Sequence, residues 1–218
     1  MKNRPPAFTL IELLAALGII AALSVMLLAG VQKARSFSER AGTAQSLRSI
    51  GLAMQGYAND NDSMLPGPFY NAQTAWYSTR NPGALGTYLW SYLGSPEPTS
   101  QSQECKAINN PAYLRLRTAT DTPIYLMRPE VTMTGAATLR PFGNRDSSGT
   151  VTQSPMRLPS LASYNLSKNW AMVDIDQKLS RVQSWDISKY PKSPLLGNVR
   201  MALYFDWHVG TIPATEDP

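Results

Sequence analysis

The sequence predicts an α+β fold: one long N-terminal α-helix, apolar in its first half and amphipathic in its second, packed on a small antiparallel β-sheet head with long loops. Three observations carry this. Residues 8–31, FTLIELLAALGIIAALSVMLLAGV, are apolar apart from one charge, Glu12. Beyond Val31, apolar and small residues recur at helical spacing as far as Tyr57. From Tyr113 onward the apolar period falls to two, in short runs bounded by Pro.

Residues 1–7, MKNRPPA, form a short leader whose charges are Lys2 and Arg4. At ~1.5 Å per residue, a helix over residues 8–31 spans roughly 36 Å, enough to cross a hydrocarbon core of about 30 Å. Glu12 is the awkward residue. A carboxylate at the centre of a membrane helix costs ~2.5–3.5 kcal/mol, less near an end, and the stretch holds no cation to offset it. A cut between Ala7 and Phe8 would create an α-amino group four residues from Glu12. An amine and a carboxylate within ~4–6 Å stabilise each other strongly in a poor dielectric.

Basic leader, small residue, then Phe8-Thr9-Leu10-Ile11-Glu12 and an apolar helix resembles the class III signal of type IV pilins and type II secretion pseudopilins. The resemblance implies that a prepilin peptidase cuts at Ala7–Phe8 and methylates the new terminus. It implies that Glu12 neutralises a neighbouring subunit's amine during filament assembly. The family's usual residue before the cut is Gly; here it is Ala7. The implied partners are the peptidase, other pilin-like subunits and bacterial inner-membrane lipid. The implied topology is a single pass with the head periplasmic, or extracellular once in a filament. A secretory signal would instead have an apolar core of ~7–15 residues and an A-x-A-like site after it.

Residues 32–60 continue the helix. Ala34, Phe37, Ala41, Ala44, Leu47, Ile50, Met54 and Tyr57 make one stripe, with Lys33, Arg35, Glu39, Arg40, Gln45 and Arg48 opposite. No Pro occurs between Pro6 and Pro66, so a single helix of about 50 residues and ~75 Å is expected. It ends at Asn59-Asp60-Asn61-Asp62-Ser63, before Pro66-Gly67-Pro68. Alternating acid and amide suggests calcium. An EF-hand, however, needs an oxygen ligand and then Gly where Met64 and Leu65 stand, and a Glu where Asn71 stands. A polar helix exit and turn is the preferred reading. A calcium site in the head is implied only by analogy with secretion pseudopilins and is not located; no other cofactor is expected.

Residues 61–218 form the head. Trp76, Tyr77, Tyr88, Trp90 and Tyr92 read as core, with a carbohydrate platform as the alternative. The block ALGTYLWSYLG predicts a short helix stopped by Gly94. Residues 113–117, 124–128 and 131–134 read as strands, as do 163–166 and 171–174. Residues 140–160 read as a long polar loop, and 176–185 as a turn of helix. Residues 198–212 predict a terminal hairpin, with Asp206-Trp207 as its tight turn and His208 opening the return strand. Both YANDNDSMLPG and this hairpin resemble a pseudopilin-like family common in planctomycetes and verrucomicrobia. The C-terminal motif of that family is a His, nine residues and Asp-Gly. Asp206 and His208 fit the resemblance, while Leu196 replaces the first His and Trp207 the turn Gly.

The net charge is +5, and without Lys2 and Arg4 eighteen basic side chains face fifteen acidic ones. The surplus is small and scattered, which argues against nucleic acid. The one cysteine, Cys105, reads as buried, and the one histidine, His208, leaves no Cys/His metal cluster. His208 has Asp206 beside it but no nucleophile implied by spacing, so no hydrolase is expected. Neither a GxxxxGK[ST] loop nor HExxH occurs. Asp174 and Asp176 in VDIDQ read as exposed loop carboxylates, with a cation site as the alternative. The functional expectation is a structural, non-enzymatic subunit of a type II secretion pseudopilus or type IV pilus-like filament. The alternative is a membrane-tethered head that binds a glycan or protein and never polymerises.

Overall fold

In the computed structural model, which describes residues 9–114, 122–132, 138–146, 148–183 and 186–218, one helix, α1, runs from Leu10 to Asp60. Its C-terminus unwinds into left-handed backbone at Asp62 (φ 51°) and Ser63 (φ 62°). There the Ser63 N–H donates to the Ala58 carbonyl at 2.8 Å and Asn61 Nδ2 to the Tyr57 carbonyl at 2.8 Å. Carbonyls orphaned by the helix end are thus satisfied by the short polar residues of the exit. The chain divides into two units, one ending at Ser38 and the other running from Glu39 to Pro218.

Within the first unit the described apolar side chains are exposed, from Leu10 at 78% to Phe37 at 65%. Within the second, α1 buries Thr43, Ala44, Leu47, Ile50, Ala53, Met54 and Ala58. The buried stripe therefore begins at Thr43 and not at Ala34, as the periodicity suggested. Helical period identifies a face; how far a neighbour reaches along it is set by the neighbour. Here Pro111 lies against Gly42, where a Cβ would meet its Cγ at 2.7 Å.

The head is built on a five-stranded sheet. Its strands in chain order are β1 (Ala72–Gln73), β4 (Tyr125–Met127), β7 (Trp170–Asp174), β8 (Val199–Tyr204) and β9 (Val209–Pro213). That is also their spatial order, and every pairing is antiparallel. Two smaller ladders complete it: β2 (Trp76–Tyr77) with β3 (Gln103–Glu104), and β5 (Asn144–Arg145) with β6 (Val151–Gln153). α2 (Leu85–Leu89) packs beside β2, and Gly94 (φ 60°) turns the chain after it. The central strand β7 is buried at every residue, so both its faces are covered. An aromatic run of Phe69, Phe142 and Phe205, with centroids 5.4 and 5.5 Å apart, fills the core beside it.

Several expected elements differ. Tyr113 and Leu114 lie in α3 (Pro111–Leu114), not in a strand. Asn110 Oδ1 accepts from the Ala112 N–H at 3.0 Å, and Pro111 supplies a helix-ready φ at the first position. Residues 115–117, 133–134, 147, 184 and 185 of the expected elements lie outside the described residues; Val131 makes an isolated bridge to Leu139. The span 140–160 is not wholly loop. It contains the β5–β6 hairpin, whose turn is organised by Asp146 Oδ1 accepting from the N–H groups of Ser148 and Thr150, each at 2.9 Å. Its strand residues are half-buried or exposed, so no apolar alternation announced them. Residues 163–166 form turns, where the Asn165 carbonyl accepts from the Lys168 and Asn169 N–H groups. The expected helical turn in 176–185 is a 3₁₀ turn over Ser180–Val182.

Candidate processing and assembly site

Glu12 occupies the first turn of α1. Its Oε2 accepts from the Thr9 N–H at 2.9 Å and the Thr9 hydroxyl at 2.7 Å, while the Glu12 N–H points back at Thr9 Oγ1 at 3.4 Å. This is a reciprocal capping box, in which the helix's orphan N–H groups are met by a Thr and a Glu three residues apart. The carboxylate that the chain places in an apolar helix is thus occupied locally by Thr9. Thr9 had no role in the sequence reading. The signal was available, because Thr-x-x-Glu ahead of an apolar run is itself a helix-start pattern. Ala7 and Phe8, the expected cleavage junction, lie outside the described residues.

Around Glu12 the helix presents Leu10, Ile11, Leu13, Leu14 and Leu17, all more than half exposed. Leaving a Leu or Ile side chain in water forgoes about 1.5–3 kcal/mol each relative to burial. α1 is long and apolar enough to cross a membrane. Inside the apolar run the Ser24 hydroxyl donates to the Ile20 carbonyl at 2.7 Å, so it presents no unpaired donor to an apolar medium.

The second expected cluster is the terminal hairpin. β8 and β9 pair from Val199↔Pro213 to Leu203↔Val209. At the tip, Trp207 takes φ 67°, the left-handed conformation in which Gly would be unstrained. Asp206 Oδ1 lies 2.5 Å from His208 Nδ1 and also accepts from the His208 N–H at 3.2 Å. The imidazole stacks on Tyr204 with centroids 4.3 Å apart. Asp206 and His208 are therefore together, half-exposed, in a dyad that orients the ring and brings no described nucleophile to it.

The third cluster corrects an expectation. Asp174 and Asp176 are buried, at 6% and 1% exposure, not exposed loop carboxylates. Asp174 ends the central strand, and Asp176 faces Arg200 of β8. Arg200 Nε donates to Asp176 Oδ2 at 2.5 Å, Nη2 to Oδ1 at 3.1 Å, and Nη1 to the Glu216 carbonyl at 2.8 Å. Asp174 Oδ2 accepts from the Met201 N–H and Oδ1 from Asn110 Nδ2, both at 3.0 Å. Asn110 Oδ1 in turn lies 2.8 Å from the Thr43 hydroxyl of α1. Burial raises the Asp174 pKa to about 7, against the pull of the Met201 N–H and Asn110. Both carboxylates are taken up by protein donors. Among the described residues no group of three or more His, Cys, Asp and Glu is placed to hold a metal ion. Cys105 is buried as expected, its N–H donating to the Ala75 carbonyl and its Sγ 3.0 Å from Ser95 Oγ.

Residues 3–28 match the family model of the prokaryotic N-terminal methylation motif. The match supports a type IV pilin-like protein. Its span covers the capping box at Thr9 and Glu12 and most of the exposed apolar helix, and stops short of the head. No curated protein and no solved structure matches the chain. The motif implies processing by a prepilin peptidase and association with other pilin subunits, and with the apolar part of α1 it fits anchoring in a membrane.

Proposed function

We propose that this pilin-like chain is a structural subunit of a type II secretion pseudopilus or type IV pilus-like filament. Prepilin peptidase cuts between Ala7 and Phe8 and methylates the new amine. The anchor crosses the bacterial inner membrane once, with the head periplasmic before assembly. Glu12 is the assembly carboxylate: an incoming subunit's amine replaces Thr9 as its partner. The observation that carries this reading is the methylation-motif match over residues 3–28, of which residues 10–28 lie on a helix whose described apolar side chains are exposed. The fold supports it, since a long N-terminal helix packed on a small antiparallel sheet is the architecture expected of a pilin-like chain. The hairpin residues Asp206 and His208 support the finer kinship with pseudopilin-like proteins carrying a C-terminal Asp-Gly hairpin. The role is structural; the Asp206–His208 dyad orients a ring and carries no reaction in this reading.

The test is co-expression with a prepilin peptidase followed by mass analysis of the N-terminus. An N-methylated Phe8 terminus is expected. An intact Met1 terminus, with the peptidase active on a control substrate, overturns the reading. Glu12→Ala should leave cleavage intact and abolish recovery of the chain in sheared filaments. Filaments forming normally with Glu12→Ala would remove Glu12 from assembly.

A further inference from the structure

A cleft of about 360 Å³ opens at the edge of the five-stranded sheet, between the β1 end, the segment after β4, β5 and the 3₁₀ turn at Ser180–Val182. Its polar wall is made by Arg140, Arg181, Glu130, Asn71 and Asn144, with Pro129 as an apolar face. Arg140 donates both Nε (3.1 Å) and Nη2 (2.7 Å) to a single oxygen, Oε1 of Glu130. That arrangement leaves its Nη1 edge unspent, because a guanidinium carries five donors. Arg181 offers Nε to Pro218 O at 3.4 Å, and its two Nη groups are not used by that contact. A third arginine, Arg128, lies outside the lining of the cleft. Arg128 lies 5.0 Å over the Trp170 ring and donates Nε to the Glu130 carbonyl at 3.0 Å. Burial and the nearby Arg181 charge both push the Arg128 guanidinium down from its ordinary value. Two guanidinium groups, those of Arg140 and Arg181, thus line a cleft whose lining holds one carboxylate, Glu130.

We propose that this cleft binds a carboxylate-bearing sugar, of the uronic acid class. The planar guanidinium fork matches a carboxylate in two-point contact and pairs with it better than a point charge would. The Asn71 and Asn144 side chains, the latter also donating Nδ2 to Thr152 Oγ1 at 2.9 Å, suit ring hydroxyls, and Pro129 suits the C–H side of a pyranose. A bare phosphate would use the arginines and leave the amides and the apolar face without a role. The volume is at the lower end of that of small-ligand sites. This inference concerns the head alone and does not depend on filament assembly.

The test is isothermal titration of the full chain in detergent micelles with trigalacturonate, with a neutral galactose trimer and with inorganic phosphate. Trigalacturonate is expected to bind at least about tenfold more tightly than either comparison ligand, and to weaken as salt is raised. Arg181→Gln, an exposed position that should leave the thermal midpoint unchanged, is expected to weaken trigalacturonate binding about tenfold. Arg140→Gln should do the same if its melt shows a folded head; otherwise Arg181→Gln decides alone. Equal binding of the neutral trimer, equal binding of phosphate, no detectable trigalacturonate binding, or undiminished binding by a folded Arg181→Gln would each overturn the proposal.

Discussion

Arg200 and Asp176, each with 1% of its side chain exposed, hold opposite charges inside the head with two hydrogen bonds between them. Removing one partner leaves the other charge buried and unpaired, which typically costs about 3–5 kcal/mol. Asp176→Asn should therefore lower the unfolding free energy of the head by roughly that amount, read by urea titration of the micelle-bound chain; a change below about 1 kcal/mol would contradict the pairing. Asp174 makes a different prediction. Its carboxyl is raised to about 7 by burial, while Asp176 and Arg200 nearby push in opposite directions. An unfolded Asp titrates near ~3.9, so between about pH 4 and pH 7 the folded chain holds a proton that the unfolded chain has released. Stability should accordingly rise as pH falls from 7.5 towards 5, and Asp174→Asn should flatten that slope in a thermal-melt series. These residues show where the sequence is silent. VDIDQ gives charge but not burial, and Arg200 lies 24 positions from Asp176, so nothing local marks them as partners. Glu12 was legible because its oddity is local, a carboxylate inside an apolar run. Thr9 was equally local: Thr-x-x-Glu before an apolar run is a helix-start pattern, and the box it forms is the partner Glu12 finds in its own helix.

At the scale of elements, α1 and the central strands were readable because long periodic patterns and continuous apolar runs are the strongest sequence signals. The short ladders were not. β5 and β6 place half-buried and exposed residues in a hairpin held by the Asp146 turn and by Arg145, whose guanidinium reaches the carbonyls of Pro68 (2.9 Å) and Gly149 (2.6 Å). The hairpin depends on Gly143, which sits at φ 72° with the Gln153 carbonyl 2.4 Å from where a Cβ would be. Gly143→Ala should cost more than ~1 kcal/mol, since both the left-handed backbone and the clash oppose it. The loss should appear as faster amide exchange at Val151 and Gln153 than at β7; unchanged exchange would show that the hairpin tolerates the methyl. On α1, Leu47 is fully buried. Leu47→Ala should destabilise the head by about 2–5 kcal/mol, whereas Leu52→Ala, 66% exposed, should fall within ~0.5 kcal/mol. Comparing the two melts separates the packed stripe from the open face of one helix.

For the whole molecule, the contrast in composition between its two parts is visible in the sequence. An apolar segment with one carboxylate and a polar head rich in turns differ so much in composition that no structure was needed to tell them apart. What composition could not reveal is where within the amphipathic half the head begins to cover the helix, because that limit is set by Pro111, far away in sequence. The single cysteine adds a property that belongs to the molecule as a unit. Cys105 has no exposed surface, packs in the same core cluster as Leu47 and Leu89, and is the chain's one thiol. Every alkylation event on a native sample therefore counts one opening of that core, with no engineered label and no competing site. The chain carries its own clock for breathing of the head, and under conditions where reclosing is faster than alkylation, the labelling rate of Leu47→Ala relative to the parent should rise in step with its lost stability.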